Sequence, residues 1–367
     1  MFNNSLNIQI QGNFFTVGEL KQFCAEKINN TTTQIWEKEI YSFIKEWFSS
    51  CDTITVTTSG STGNPKEIHL HKRYMIASAK ATLSFFDLKN GDNMWLCLPV
   101  KYIAGKMMIV RAIVGELNLI YSEPNTSPLI ESSRKINFSA MVPNQVYSLL
   151  KSPQGINQLQ NIDNLLIGGS DISYALENKL TSTPSISCWH SYGMTETITH
   201  IALRKLFPNA NTRSFLPLNG IRITTNSNSQ LIIDAPYIGV RNLITNDIVE
   251  LLNDNSFLII GRQDNVIISG GIKLHPEIIE SKIKKYISNN FFIGGIPDAS
   301  LGEKLILFIE ANSNNNQHID LFKDKIKENL LKFEIPKEII FLKYFLQTEN
   351  GKLRRKTMVN NYIESLK

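Results

Sequence analysis

Hydrophobic residues recur at helical spacing near the beginning of the chain, between residues 19 and 49. In this stretch we predict two amphipathic helices. Their inward positions are Leu20, Phe23, Cys24 and Ile28 in the first helix, and Ile35, Trp36, Ile40, Phe43, Ile44 and Trp47 in the second. Residues 67–71, EIHLH, then alternate as a strand, and residues 73–86 repeat again at helical spacing. The pattern therefore predicts two helices followed by a strand–helix unit.

Short apolar runs separated by helical stretches come next. The runs are NMWLCLPV, LNLIYSE, FSAMVP, NLLIGGS and SISCWHSYG. Strands that alternate with helices at this rhythm are typical of an α/β domain with a mainly parallel sheet. Between residues 220 and 261 the pattern changes to short alternating strands with Asn-rich turns, which predicts a small β-rich subdomain.

The C-terminal part of the chain has a different pattern. NVIISGGIKL predicts a hairpin, residues 276–287 a helix and KLILFIEA a strand, followed by a polar loop, another helix and a basic tail. We therefore expect an α/β fold with a large N-terminal α/β domain, residues 1–263, that includes the β-rich subdomain. Residues 264–367 should form a smaller α+β C-terminal domain.

Composition excludes several classes of protein. The chain has 367 residues, 42% hydrophobic and 19% charged, which is enough for one large domain and a smaller one. The net charge is +5 with Lys and Arg spread along the chain, so we expect no nucleic-acid partner. No apolar run reaches the roughly 18 residues of a membrane span, and the N-terminus has no signal-peptide pattern, so we expect no membrane insertion. The four cysteines lack C-x-x-C and metal-ligand spacing, so we expect reduced thiols and a cytoplasmic protein.

The segment TSGSTGNPK, residues 58–66, combines glycines, hydroxyl side chains and one ammonium group. Its members with these properties are Thr58, Ser59, Gly60, Ser61, Thr62, Gly63 and Lys66. Exposed backbone N–H groups, hydroxyl donors and a Lys are the components of a polyphosphate-binding loop. The segment is not a Walker A loop, because its Lys follows Pro and precedes a strand. A polar turn between two strands is the alternative that this segment alone leaves open.

This segment resembles the signature loop of the adenylate-forming superfamily, which contains acyl-CoA synthetases, aryl-CoA ligases, luciferases and the adenylation domains of peptide synthetases. Other segments resemble that superfamily in the same order along the chain. They are YGMTET (192–197), ITND (244–247), GRQDNVIISGG (261–271) and ENGKLRR (349–355). The resemblance extends over most of the chain, and it implies an enzyme that activates a carboxylic acid with ATP.

The resemblance also implies the residues that bind ATP and Mg²⁺. The loop 58–66 would hold the β and γ phosphates, Thr195 would donate a hydrogen bond to the α-phosphate, and Glu196 would bind Mg²⁺. Tyr192, beside Gly193, would present its ring to adenine. Gly168 and Gly169 would let the nucleotide approach the backbone, and Asp247 would accept the ribose hydroxyls with help from Arg262.

The resemblance places the remaining chemistry in the C-terminal domain. Lys352 would offset the negative charge that develops at the α-phosphate during adenylation. Asp264 would be the hinge about which a mobile C-terminal domain rotates, bringing Gly270 and Gly271 towards the thiol of coenzyme A. ENGKLRR lacks the two prolines that often precede the family's Lys; Leu346 and Glu349 stand in their places.

The segment LPVKYIAGKMMIVRAIVGE, residues 98–116, carries information about the acid. Between residues 103 and 114 it is apolar on every side except at Lys106 and Arg111, which predicts a buried helix. A buried guanidinium needs a partner, either Glu116 or a second carboxylate of the substrate. Lys106 and Arg111 project about 140° apart on a helix, so one can have a structural role while the other binds substrate.

Together with LLIGGSDI and HSYGMTETITHIALR, this segment resembles the o-succinylbenzoate–CoA ligases of menaquinone biosynthesis, whose substrate is a dicarboxylic acid. The resemblance implies that the acid is bound by Arg111, Lys106, Tyr102 and Ser170. Tyr102 stands where the family commonly has His, and much of the family's N-terminal subdomain is missing before residue 57. The expected partners are therefore a small-molecule carboxylic acid, ATP and coenzyme A; the sequence predicts no oligomeric state.

Other functions remain open at the level of the sequence. One is another aryl- or acyl-CoA ligase, and a second is an adenylation enzyme that loads a carrier protein; for an amino acid substrate Asp171 is a weak candidate partner of the ammonium group. A third is a non-catalytic nucleotide-binding protein. The presence of Lys66, Glu196 and Lys352 argues against this last alternative.

Overall fold

The structure is a computed structural model, and the residues it describes fall into two compact units. The described residues are 7–57, 66–130, 134–183, 185–208, 213–287, 289–311, 324–348 and 353–366. The first unit comprises Met1–Arg222 with Asp234–Asn242, and the second comprises Ile223–Ile233 with Leu243–Lys367. The sequence predicted a domain boundary at residue 264, where a hinge would let the C-terminal domain move. This boundary stays a prediction.

The first unit begins with a short hairpin and two helices. The strands are β1 (Ile8–Ile10) and β2 (Asn13–Phe15), and the helices are α1 (Val17–Asn29) and α2 (Ile35–Trp47). A capping box begins α1: the Thr16 hydroxyl accepts from the backbone N–H of Glu19, and the Glu19 carboxylate accepts from the backbone N–H of Thr16. The two amphipathic helices predicted from the sequence are confirmed.

The rest of the first unit alternates strands and helices. Its elements are β3 (Thr53–Thr57), β4 (Glu67–His71), α3 (Lys72–Phe85), β5 (Asn93–Leu96), α4 (Ile103–Gly115), β6 (Asn118–Tyr121), β7 (Ile136–Met141), α5 (Pro143–Leu149), α6 (Pro153–Gln160), β8 (Ile162–Ile167), α7 (Tyr174–Ser182), β9 (Cys188–Gly193), β10 (His200–Phe207) and β11 (Leu216–Pro217). Strands β3 and β4 pair antiparallel. A nine-stranded sheet has the order β11-β10-β9-β8-β7-β5-β6-β1-β2. Its strands from β9 to β1 are parallel, which confirms the predicted sheet.

Helices cover both faces of this sheet. On one face, Trp95, Leu165 and Cys188 are buried in a cluster with residues of α5, α6 and α7. On the other face, the ring of Phe86, which directly follows α3, lies 5.0 Å from that of Phe138 and 5.9 Å from that of Trp189. Consecutive residues of a strand point to opposite faces, so β9 contributes to both layers.

The remaining elements include the β-rich stretch and the C-terminal layer. Strands β12 (Arg222–Thr225), β13 (Gln230–Ala235), β14 (Val240–Leu251) and β15 (Phe257–Arg262) form a four-stranded sheet. The following elements are β16 (Ile267–Ser269), β17 (Ile272–Leu274), α8 (Pro276–Ile283), β18 (Phe291–Asp298), β19 (Gly302–Glu310), β20 (Glu338–Leu342) and α9 (Arg355–Ser365), with residues 324–329 also helical. Strands β16 and β17 form the predicted hairpin. The predicted fold class, a large α/β part and a smaller α+β C-terminal part, is confirmed.

The sequence predicted a basic tail at the C-terminus, whereas residues 355–365 form helix α9. Met358 of this helix is buried, and the ring of Tyr362 lies 5.5 Å from that of Phe308 in β19. Arg355 also donates to the Glu280 carboxylate of α8 through both terminal guanidinium nitrogens: Nη1 to Oε1, and Nη2 to Oε2 at 2.7 Å. The helix was missed because most of its residues are charged or polar, and only four apolar side chains pack in the cluster beneath it.

Two findings concern the described residues as a whole. All four cysteines are free thiols, as predicted. Within the described ranges, no helix is both long and apolar enough to cross a membrane.

Candidate active site

Some of the predicted site residues lie outside the described part of the chain. They are Thr58, Ser59, Gly60, Ser61, Thr62, Gly63 and Lys352. Lys66 is described and is exposed directly before β4, whose first residue pairs with Thr57 at the end of β3. The phosphate-binding role of this loop therefore stays a prediction.

Gly168 and Gly169 follow β8 at the carboxyl end of the parallel sheet. A Cβ atom on Gly168 would lie 2.2 Å from the Ser191 hydroxyl of the neighbouring strand β9, and Gly169 has φ of +91°. Glycine is the residue that satisfies both requirements, because it lacks Cβ and accepts positive φ without strain. Ser170 comes next, so these residues lie at the end of a strand where open α/β sheets bind ligands.

Tyr192 is buried near the end of β9, and its ring lies 5.9 Å from that of Phe215. His190 shares this face of β9 and contacts Phe215 at 5.1 Å. Burial, together with the charge of Arg204, lowers the pKa of His190 to about 3, so this imidazole is neutral at neutral pH. The predicted adenine-binding residue thus lies beside the ring of Phe215, whose other neighbours include His190 and the guanidinium of Arg204, 5.6 Å from the Phe215 ring centroid.

Thr195 and Glu196 form a single 3-10 turn, Thr195–Thr197, after Gly193 at the end of β9. Glu196 is exposed. No group of three or more His, Cys, Asp and Glu in the described ranges could hold a metal by itself. One exposed carboxylate that shares its cation with phosphate oxygens is the usual way in which proteins bind Mg²⁺, so Glu196 fits the predicted role.

Arg111 is the most informative residue of the predicted acid site. Only 2% of it is exposed, and burial lowers the pKa of its guanidinium to about 9. Its Nε donates to the Thr82 hydroxyl and its Nη2 to the Thr199 hydroxyl, both at 3.2 Å. Within the described residues no carboxylate lies within 4.0 Å of it, and Glu116 instead accepts a hydrogen bond from Asn90. Of the two partners that the sequence left open, Glu116 is therefore not in contact with Arg111, and a carboxylate of the substrate stays a prediction.

Lys106 and Tyr102 have different surroundings from Arg111. The Lys106 Nζ lies 4.5 Å from the ring centroid of Phe43 and 3.9 Å from the carboxylate of Glu46, both on α2. Burial lowers the pKa of Lys106, and Glu46 opposes this effect. Tyr102 directly precedes α4, and the Lys101 Nζ lies 4.9 Å from its ring centroid. The two basic residues of α4 therefore point to different partners, as their spacing predicts.

In the second unit, the structure brings Asp247 and Arg262 together. They pair across β14 and β15, and Arg262 Nη1 donates to Asp247 Oδ1 at 3.0 Å. Arg262 Nε also donates to Asp264 Oδ1 at 3.0 Å, so the predicted ribose-binding pair contacts the predicted hinge residue. Gly270 and Gly271 form the turn between β16 and β17, with φ of +57° and +80°.

Sequence reasoning missed the polar residues that surround Arg111. The Thr199 hydroxyl lies 3.0 Å from that of Ser78, and the Thr82 hydroxyl lies 3.3 Å from His200 Nε2. Burial and the charge of Arg111 keep the pKa of His200 well below its usual value. A signal was available for α3: Ser78 and Thr82, four residues apart, interrupt the apolar face that Met75, Ala79 and Leu83 form.

The chain belongs to the AMP-binding enzyme family, whose model matches residues 25–225. That region contains the loop 58–66, helix α4 with Arg111, and the strand ends that carry Gly168 and Glu196. The family match therefore agrees with the adenylate-forming enzyme that the ordered sequence motifs indicated.

Comparison with three individual proteins gives more detail than the family match. The 2-succinylbenzoate–CoA ligase of Listeria innocua is 26% identical over 339 residues, which cover 85% of this chain and 70% of that protein. The crystal structure of an acyl-CoA synthetase (AMP-forming)/AMP-acid ligase II-like protein from Dyadobacter fermentans is 32% identical, with a TM-score of 0.62 and coverage of 93% of this chain and 98% of that chain. The o-succinylbenzoate–coenzyme A synthetase (MenE) of Bacillus subtilis, in complex with ATP and magnesium, is 19% identical, with a TM-score of 0.66 and coverage of 82% and 68%.

Proposed function

We propose that this protein is an ATP-dependent acid–CoA ligase that acts on o-succinylbenzoate, first forming an acyl-adenylate and then o-succinylbenzoyl-CoA. The pathway that uses this product is menaquinone biosynthesis. ATP, Mg²⁺ and coenzyme A are the expected cofactor and cosubstrates, and four free thiols agree with a reaction in the cytoplasm. Membership of the AMP-binding family supports the adenylate, and the Listeria relative supports the acid.

The environment of Arg111 is the observation on which the choice of a dicarboxylic substrate rests. A guanidinium that is 2% exposed has lost its hydration, yet within the described ranges only neutral groups hold it. Such a charge is costly unless an anion compensates it. A dicarboxylic acid supplies that anion with one carboxylate while the other reacts. A monocarboxylic acid would leave the charge uncompensated.

The proposed reaction begins with adenylation. An oxygen of the acid attacks the α-phosphorus of ATP, the bond to the bridging oxygen breaks, and pyrophosphate leaves. The loop 58–66 would hold the leaving phosphates, and Thr195 would donate to the α-phosphate. Mg²⁺ held by Glu196 would neutralise phosphate charge, and Lys352 would stabilise the charge that develops in the transition state.

The second step forms the thioester. The sulfur of coenzyme A attacks the acyl carbon of the adenylate, the thiol proton passes to solvent, and AMP leaves. We propose that rotation at Asp264 removes Lys352 and presents Gly270 and Gly271 to the incoming thiol. The backbone at these glycines has positive φ and forms a tight turn, and both glycines are exposed.

Carrier-protein loading with an amino acid has little support. Asp171 was the candidate for an ammonium group, and its charge instead acts on Arg204, opposing the effect by which burial lowers the pKa of that guanidinium. Within the described residues, the buried charge in α4 is a cation, which suits an anionic group of the acid and repels an ammonium group.

The test is ATP–pyrophosphate exchange over a panel of aryl, fatty and amino acids, followed by addition of coenzyme A. We expect exchange with o-succinylbenzoate and thioester formation when coenzyme A is added. Exchange with benzoate but not with o-succinylbenzoate would show that the proposed acid is wrong. No exchange with any acid would refute the proposed ligase.

A further inference from the structure

The turn after Glu196 contains a branched residue in a rarely adopted conformation. Ile198 has φ of +67° and ψ of −63°, and the backbone N–H of Thr199 donates to the carbonyl of Thr197 at 2.7 Å. These values define a γ-turn with positive φ, which is strained even for unbranched residues. Ile198 is also buried. Surrounding structure must hold such a turn in place.

Three contacts hold this turn. The Thr197 hydroxyl accepts from the backbone N–H of Met194 at 3.0 Å and donates to the carbonyl of Thr199 at 2.8 Å. Gly193 packs on the turn so closely that a Cβ atom would lie 2.2 Å from the Thr199 carbonyl oxygen. Thr195, Glu196 and Thr199 are therefore parts of one short, tightly fixed segment.

The turn directs the Thr199 hydroxyl to Arg111. This oxygen accepts from Arg111 Nη2 at 3.2 Å and also contacts the Ser78 hydroxyl at 3.0 Å. At the other end of the same guanidinium, Thr82 accepts from Nε at 3.2 Å. Two hydroxyl groups from different elements thus fix the plane of the guanidinium, and neither neutralises its charge.

We infer that Thr199 is a positioning residue, and that the segment from Thr195 to Thr199 fixes the distance between the two ends of the acid. This inference rests on the proposed function. One carboxylate of the acid would bind Arg111, while the other must reach the phosphate held near Thr195 and Glu196. Because a single segment orients Arg111 and carries the phosphate-binding residues, an acid of the matching length is aligned for attack. A small misplacement of a reacting group lowers the rate strongly.

A hydroxyl group suits this role better than a carboxylate. Asp at position 199 would pair with Arg111 directly and leave no charge for the substrate. Val would keep the shape of Thr199 but remove the hydrogen bond to Arg111. Ser would keep the hydroxyl. These differences make position 199 a direct test of positioning.

The experiment measures ATP–pyrophosphate exchange with o-succinylbenzoate and with its two monocarboxylic analogues, 4-oxo-4-phenylbutanoate and 2-butanoylbenzoate. For Thr199→Val we expect the KM for o-succinylbenzoate to rise about tenfold, the cost of a hydrogen bond to a charged group. The KM for ATP and the use of the monocarboxylic analogues should stay unchanged. Thr199→Asp should lose o-succinylbenzoate use more completely, and Thr199→Ser should stay near the wild type.

A double-variant cycle separates positioning from a general structural effect. In an Arg111→Ala background, Thr199→Val should change the KM for o-succinylbenzoate less than about twofold, because Thr199 acts through Arg111. Thr181→Val is the matched control, since its hydroxyl donates to the carbonyl of Glu177 on the exposed surface of α7. Additive effects of the two substitutions, or equal losses with o-succinylbenzoate and with the analogue that retains the reacting carboxylate, would overturn the inference.

The outcomes distinguish this inference from the proposed function. If the wild type exchanges o-succinylbenzoate and Thr199→Val does not alter its KM, the proposed function stands and the positioning role is refuted. If the wild type uses a different acid, the proposed substrate is wrong. The same series with that acid then tests Thr199, and an unchanged KM refutes the positioning role.

Discussion

At the scale of the residue, the central feature is a charge that the fold buries without neutralising it. Arg111 is held by Thr82 and Thr199, whose hydroxyl groups orient it but carry no charge. Replacing a buried ion by an apolar side chain of similar volume often stabilises a protein. This cost is consistent with the proposal that the guanidinium binds an anionic group of the acid.

Arg111→Met tests this conclusion. We expect kcat/KM for o-succinylbenzoate to fall about 100-fold, because the substrate carboxylate loses its charged partner. The free energy of unfolding should rise by about 1–3 kcal/mol, since desolvation of the guanidinium no longer opposes folding. Exchange kinetics and urea denaturation measure the two effects.

Lys106→Met is the matched control on the same helix. Lys106 pairs with Glu46 and lies over the ring of Phe43, so we expect its loss to leave the KM for the acid nearly unchanged. A large rise of that KM would assign acid binding to Lys106. Destabilisation by Arg111→Met would instead show that Arg111 has a structural role.

At the scale of the element, the end of β9 determines where the site residues lie. Gly193 pairs with His200 in β10, and between them the chain makes the 3-10 turn and the γ-turn that carry Thr195, Glu196 and Thr199. The close contact between Gly193 and the backbone of Thr199 leaves no space for a side chain. Glycine at this position is therefore a packing requirement of the turn.

Gly193→Ala should consequently displace the turn. The added methyl group would lie 2.5 Å from His200 Cα, so backbone must move, and we expect the free energy of unfolding to fall by about 1–3 kcal/mol. Exchange activity should fall with it, because Thr195, Glu196 and Thr199 move together. Thermal unfolding and exchange rates measure these changes.

Gly18→Ala in α1 is the control for this substitution. Nothing lies within 4 Å of the Cβ position at Gly18, so we expect the change to be neutral or stabilising by up to ~1 kcal/mol. Full activity of Gly193→Ala would mean that the turn tolerates displacement and does not fix the site.

At the scale of the whole molecule, the predicted site residues are divided between two compact units. Arg111, Tyr192 and Glu196 belong to the first unit, and Asp247, Arg262 and the segment with Lys352 belong to the second. Adenylation and thioester formation need different groups beside the same acyl carbon. We propose that the C-terminal domain rotates about Asp264 between the two steps and so exchanges the groups that lie beside the acyl carbon.

Lys352→Ala separates the two half-reactions. We expect ATP–pyrophosphate exchange to fall at least about 100-fold, because the charge developing at the α-phosphate loses its cation. The rate of thioester formation from preformed acyl-adenylate and coenzyme A should stay near that of the wild type. Rapid-quench measurements of each half-reaction check this expectation.

The control for this variant is Lys332→Ala, which removes an exposed lysine of the second unit. We expect it to leave both half-reactions unchanged. Equal losses in the two half-reactions of Lys352→Ala would contradict the proposed division of labour between them.

The order of the elements and much of the candidate site could be predicted from the sequence. Helical and alternating periodicities located α1, α2, α3 and the parallel strands, because these patterns are local and follow from which side chains are buried. The same reasoning failed for α9, where charged and polar residues together outnumber the apolar side chains that reach the sheet. Motifs likewise indicated Asp247 and Arg262, and the structure pairs them.

The sequence by itself determined that a guanidinium would be buried in α4, since apolar residues surround Arg111 on every side of the helix. Only the tertiary structure decided which groups form hydrogen bonds with the Arg111 guanidinium. Thr82 and Thr199 are far from Arg111 along the chain, and they come together because α3 packs on α4 and β9 ends in a strained turn. Periodicity reports which residues are buried, but the partners of a buried charge depend on how separate elements pack.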